Sequence, residues 1–177
     1  MDSKEQYKHL FQPTGWGSIE AEFVLDMPKE SLISNVSIVP FIDRRCVVIR
    51  LDDGTWEVPG GTLEQGEHYR EAVRRELMEE AGAVLHTYEP FGAWKCFSHH
   101  PQPYKPHLPH PEFYRLVGYG DVEICSQPQV PDDGEKVVAV EVMSVDEAAA
   151  AFIQQGRLDL TDLYRLAERL RSPRVFG

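Results

Sequence analysis

The chain has no apolar run approaching the ~20 residues that a membrane-spanning helix needs, so no helical membrane span is expected. Its opening, MDSKEQYKHLFQPTGWG, is polar and has no apolar core of a secretory signal. The expected location is therefore the cytoplasm. Cysteine is scarce: Cys46, Cys96 and Cys125 are far apart, odd in number and form no CxxC pair, which argues against a disulfide framework and a zinc site. They read as small core residues in a reducing compartment. Basic residues are also few. Lys and Arg number 18 against 29 Asp and Glu, for a net charge of −11, and such a balance opposes tight binding to a nucleic-acid backbone. Small phosphorylated ligands remain open, because a divalent cation can bridge them to an acidic protein. Internal repeats and low-complexity blocks are missing as well.

What is present suits one domain over residues 1–177, with the first ~17 residues as a flexible or packing extension; a chain of this length buries about two-thirds of its unfolded surface. IEAEFVLD (19–26), SNVSIVPFI (34–42) and CVVIRL (46–51) have strand character. DDG at 52–54 is a turn signal, so TWEVP should pair back on the preceding strand. Gly60 and Gly61 are expected to open a loop, and a helix to run from about Gln65 to Ala81, stopped by Gly82. Strand-like segments resume at 83–97, 112–124 and 136–144, and two helices, 145–156 and 159–172, close the chain. Strands on both sides of a central helix, with helices at the end, predict a mixed sheet covered by helices in an α/β fold. Loop 98–111 holds five prolines and four of the seven histidines, and with loop 126–136 it is longer than an ordinary connection; both are candidate substrate loops.

The central helix carries an unusual charge pattern. Val73, Leu77 and Ala81 fall on one stripe at ~100° per residue, and Glu76, Glu79 and Glu80 crowd the arc beside it. Like charges four residues apart cost a few tenths of a kcal/mol, and anions are disfavoured near a helix C-terminus. A hard divalent cation would offset both penalties, because Mg²⁺ takes carboxylate oxygens and keeps waters that phosphate can replace. Arg75 lies next to Glu79 on the wheel and is expected to pair with Glu79 or Glu71, orienting the acid. Glu67 is better placed to support the helix N-terminus or loop than to bind a metal directly. Glycine at 60 and 61 lets backbone approach a ligand closely.

Taken together these positions resemble the signature of the Nudix (MutT-like) hydrolases, G-x5-E-x7-R-E-U-x-E-E-x-G-U, with U a bulky aliphatic residue. Gly61, Glu67, Arg75, Glu76, Leu77, Glu79, Glu80 and Gly82 match its spacing over 61–83, and Ala83 departs at the last position. The resemblance implies an α/β/α sandwich with a mixed β-sheet. It implies divalent-cation-dependent hydrolysis of a nucleoside diphosphate linked to another group, NDP-X, to a nucleoside monophosphate and phospho-X. Glu76, Glu79 and Glu80 would hold Mg²⁺ or Mn²⁺ with the carbonyl of Gly61, Arg75 would orient the acids, and Glu67 would support the loop and helix. Glu79 is the first candidate for general base, and Glu135, which precedes the strand KVVAVEV, is the alternative. A homodimer is one assembly the family suggests.

No subtype pattern follows the box, so the group X stays open. Trp94, Phe97 and Tyr104 are candidates to stack on a base, although Trp94 and Phe97 lie in a strand-like run that also suits the core. His99 or His100 is a candidate for contact with a substrate phosphate. Two other readings compete: a Nudix-fold module that binds a nucleotide without cleaving it, and an interaction domain with a solvated acidic helix.

Overall fold

The computed structural model describes residues 2–129, 131–134 and 136–172. Its centre is β4 (Arg45–Leu51), in which Cys46 and Val48 face one side of the sheet and Val47 and Ile49 the other, all fully buried. A strand buried on both faces reads as a continuous apolar run, and this one does. The sheet order is β1 (Thr14–Trp16), β2 (Ile19–Val24), β8 (Glu89–Ser98), β9 (Glu112–Ile124), β3 (Ile33–Ile42), β4 and β10 (Val137–Met143). Short strands β5 (Trp56–Glu57), β6 (Gly60–Thr62) and β7 (Ala83–Leu85) pair with β4, β3 and β9. Among the described residues only β3 and β9 run parallel, so the sheet is mixed.

Helix α3 (Tyr69–Ala81) covers one face, where Val73, Leu77 and Ala81 pack on Val36, Ile38, Val47 and Ile49. Helices α4 (Val145–Gln154) and α5 (Leu158–Arg171) cover the other, where Phe152, Leu163 and Tyr164 meet Val39, Phe41 and Val48. The result is the expected α/β/α sandwich. Tyr164 is fully buried, and its hydroxyl is satisfied by donating to the Val47 carbonyl at 3.0 Å.

The N-terminal segment is packed. Short helices α1 (Ser3–Gln6) and α2 (Lys8–Phe11) bring Tyr7 and Leu10 into the core, and the buried Asp162 of α5 accepts from the backbone N–H groups of His9 and Leu10 at 2.9 and 3.3 Å. Two local expectations are corrected. Gly60 and Gly61 do not open a loop but form β6 against Val36 and Ser37. A Cβ at Gly60 would collide with the Val36 carbonyl, so only glycine lets this strand close on β3. The helix begins at Tyr69 rather than Gln65: Gly66 takes φ +75°, and His68 caps the helix in a capping box with Glu71. At the other end Gly82 adopts φ 60° and ψ 32° and donates to Leu77 and Met78 carbonyls, the predicted stop. The 83–97 segment divides into β7 and β8. Among the described residues no helix is long and apolar enough to cross a membrane.

Candidate active site

The stripe of α3 that faces the sheet carries Glu76 and Glu80 with it, and both are buried, while Glu79 keeps a quarter of its side chain exposed. Two buried carboxylates on one helix face need partners. Arg75 supplies the main one. Its Nε and Nη2 make a two-pronged bond to Glu67 at 2.8 and 2.9 Å, Nη1 reaches Glu76 Oε1 at 2.8 Å and Glu79 Oε2 at 3.3 Å, and Nη2 also donates to the Thr62 carbonyl at 3.0 Å. The planar guanidinium can make these bonds at once, which an ammonium could not. One arginine thereby joins the loop before α3, the end of β6 and two of the three helix acids. Glu71, the other partner expected for Arg75, accepts from the His68 N–H in the helix cap. Glu67 also accepts from the Glu64 N–H at 3.0 Å, which fixes the loop.

The electrostatics follow from this wiring. Burial alone would raise the Glu67 carboxyl, but the hydrogen bonds from Arg75 and Glu64 and the charge of Arg75 outweigh it and hold its pKa below the ordinary value. The same bonds hold Arg75 firmly charged. Glu76 goes the other way: burial pushes it up, Arg75 opposes, the neighbouring charge of Glu79 pushes it up further, and a hydrogen bond with Glu80 draws it down.

Among the described residues no group of three or more His, Cys, Asp or Glu side chains is gathered in a metal-ligating arrangement. Arg75 instead holds Oε1 of Glu76 and Oε2 of Glu79. The donor set nevertheless fits a hard divalent cation, because its carboxylate oxygens are the atoms Mg²⁺ and Mn²⁺ select. Gly61 adds to the fit. A Cβ there would fall on the carboxylate of Glu76, so glycine leaves a cradle into which that group fits against β6.

Beside this network lies a cleft of about 260 Å³. Thr62, Asn35, Arg115, Trp16, Tyr104 and Phe113 wall it, with part of loop 98–111 along the rim. The Arg115 guanidinium lies 4.8 Å from the Trp16 ring centre, and Trp16 packs edge-on against Trp94 at 6.1 Å. His107 ties the loop down through a 2.8 Å hydrogen bond between its Nε2 and the Leu63 carbonyl.

A family model described as the NUDIX domain matches residues 32–164, more than half of the chain. The chain belongs to the Nudix family. It is also similar to a MutT-like protein of Streptomyces ambofaciens, 41% identical over 64 residues, a stretch that is 36% of this chain and 42% of that protein. The match thus spans less than half of that relative's length. Among solved structures, a mutant of the Bacillus subtilis pyrophosphohydrolase BsRppH has a similar fold, with a TM-score of 0.60 and 16% identity over 88% of this chain and 97% of that one. A NUDIX hydrolase from Nitrosomonas europaea is similar with a TM-score of 0.52 and 19% identity, covering 76% of this chain and 90% of the other.

Within this Nudix domain the signature residues Gly61, Glu67, Arg75, Glu76, Glu79 and Glu80 come together around the N-terminal loop and one face of α3. Glu135 lies outside the described residues. The proposed stacking residues divide. Tyr104 lines the cleft. Trp94 is buried in the core behind it, packed on Phe23 and Trp16. Phe97 and His99 stack edge-on against each other, His99 meets Glu20 at 3.0 Å, and neither borders the cleft. The strand alternation that turns Trp94 and Ser98 inward turns Phe97 outward. Trp16, Asn35 and Arg115 were missed by sequence reasoning. Each looks ordinary in its own segment, and only the sheet order β1–β2–β8–β9–β3 brings them near the Nudix loop.

Proposed function

We propose that the chain hydrolyses the phosphoanhydride of a nucleoside diphosphate linked to another group, releasing a nucleoside monophosphate and phospho-X, with Mg²⁺ or Mn²⁺ as cofactor. The observation that supports this most is the Arg75 network, which holds Glu67, Glu76 and Glu79 in one bonded unit beside the Gly61 cradle. Glu76, Glu79 and Glu80, with the Gly61 carbonyl, would hold the cation. When bound, the cation would neutralise anhydride oxygens, lower the pKa of attacking water and stabilise the leaving phosphate. The protein's own part is to fix the acids and to receive a proton. Glu79 is the residue for that role, because it is the most exposed of the three and its bond to Arg75 is longer than that of Glu76. Water oxygen then bonds to phosphorus, the anhydride P–O bond breaks, and the water proton passes to Glu79. Glu135 is the second candidate for this step.

The substrate in this reading is a small nucleotide derivative rather than a nucleic acid, in keeping with the net charge of −11. The reading carries a cytoplasmic location and allows a homodimer. Its test is release of monophosphate from a panel of nucleotide sugars, ADP-ribose and nucleoside triphosphates, with Mg²⁺ and with EDTA. Turnover with Mg²⁺ that EDTA abolishes is the expected result, and Glu76→Gln and Glu80→Gln should each abolish most of it. Near-wild-type turnover by both variants would overturn the site assignment.

A further inference from the structure

The stretch that matches the Nudix model begins at residue 32, yet a wall of the cleft comes from residue 16. We propose that the N-terminal hairpin β1–β2 completes the substrate site: Trp16 with Arg115 forms a stacking wall for the base of the nucleotide, and Asn35 reads the base's hydrogen-bonding edge. This deepens the hydrolase reading and rests on it for the identity of the substrate's phosphate end.

Sheet register gives the first argument. Thr62 pairs with Asn35 across β6 and β3, and Asn35 pairs with Arg115 across β3 and β9. Thr62 follows Gly61, so this row starts beside the acid cluster and ends at Arg115, whose guanidinium lies over the Trp16 ring. Neighbouring strands lie ~4.8 Å apart, so the row spans about 10 Å, room for a sugar between the phosphates and a base. The cleft along this row, about 260 Å³, is smaller than the roughly 300–1,000 Å³ that takes a drug-sized ligand, and suits one nucleoside.

The chemistry of the walls gives the second. Arg115 over Trp16 presents flat, polarisable surfaces of the kind on which nucleobases stack. Trp94 packs against the Trp16 indole in a T-shaped pair and the β1–β2 pairing fixes its backbone, so the platform is preorganised. Asn35 spends half of its capacity inside the protein: Nδ2 donates to Thr62 Oγ1 at 3.1 Å and Oδ1 accepts from Ser34 Oγ at 2.5 Å. These bonds leave one N–H and one lone pair of the amide, so Asn35 can both donate to and accept from the edge of a base. An alkyl chain in the same cleft would bury the remaining amide N–H and lone pair of Asn35 without partners, which disfavours a lipid diphosphate.

The experiment titrates the full chain, in EDTA, with AMP, GMP, CMP, UMP and ribose 5-phosphate, and repeats the titrations on Trp16→Leu, Trp16→Phe and Asn35→Ala. Base-bearing monophosphates should bind more tightly than ribose 5-phosphate, and Trp16→Leu should weaken them by about 5- to 100-fold, the range of one lost stacking contact. Trp16→Phe should restore most of the affinity, and Asn35→Ala should flatten the preference among the four bases. With a hydrolysable substrate the Trp16→Leu loss should sit in KM rather than kcat. Equal binding of ribose 5-phosphate and the nucleotides, or wild-type affinity in Trp16→Leu, overturns the proposal. Should Trp16→Leu fail to fold, an unchanged base preference in Asn35→Ala overturns it instead. Monophosphates that bind through Trp16 while no diphosphate is cleaved would sink the hydrolase reading and leave this one standing. Hydrolysis indifferent to Trp16 would do the reverse.

Discussion

The absent side chain of Gly61 faces the carboxylate of Glu76 so closely that a methyl group at position 61 would occupy the space of its Oε1, Cδ and Oε2 atoms. Gly61→Ala must therefore push Glu76 aside and lengthen its 2.8 Å bond to Arg75. A displacement of that kind at a reacting centre costs roughly 100-fold in rate. The apolar stripe of α3 is untouched, so the melting temperature should change little. Steady-state hydrolysis and thermal melts of the same preparation test this, and wild-type turnover would detach Glu76 from the reaction.

Glu67 and Arg75 should behave as one unit in stability. Their two bonds and the loop they close predict a coupling of about 0.5–3 kcal/mol in a double-mutant cycle of Glu67→Gln and Arg75→Lys. Denaturant midpoints of the two single variants and the double measure it. Strict additivity would show that the pair only coexists.

Glu57 supplies a pH signature. Burial pushes its carboxyl above the ordinary value of 4.5, against the pull of Arg157 at 3.0 Å. Between those two values the folded chain keeps a proton that the unfolded chain has lost. Its contribution to stability is thus complete below the unfolded value and is lost as pH rises through the folded one. Glu57→Gln cannot titrate, so its melting temperature relative to wild type should climb over the range above pH 4.5. A flat difference across that range would refute the assignment.

The cysteines should differ sharply in reactivity. Cys46 is fully buried, and burial pushes its thiol up to about 12; Cys96 is nearly so, pushed up to about 11. Cys125 is exposed. Iodoacetamide near neutral pH should label Cys125 in the folded chain and all three after denaturation, read by mass spectrometry. Rapid native labelling of Cys46 would mean that β4 opens far more readily than its packing suggests.

Much of the acid cluster was legible beforehand because its geometry is local. A helix turns by a fixed angle per residue, so the positions of Glu76, Glu79 and Glu80 relative to Val73 and Leu77 follow from spacing alone, and the helix stop at Gly82 from the need for a left-handed residue there. The partner of Arg75 was less legible. The wheel offered Glu71 and Glu79, and Glu79 is bonded, but the turn at Gly66 also brings Glu67 back onto the guanidinium and leaves Glu71 to the helix cap. Likewise Gly60 and Gly61 read as a turn in isolation, and their pairing with β3 emerges only when the Val36 carbonyl is seen to take the space a side chain at Gly60 would fill.

By itself, then, the sequence determined the acid pattern, its family and the alternation of strands and helices, because each is written in spacings of a few residues. Tertiary structure decided which aromatic residues stand at the cleft. Trp94 and Phe97, the conspicuous candidates, went to the core and the outer face, while Trp16 came from a hairpin far up the chain to lie against Arg115. That outcome depends on which strands pair and in what register, and strand pairing joins residues whose separation along the chain carries no local signal.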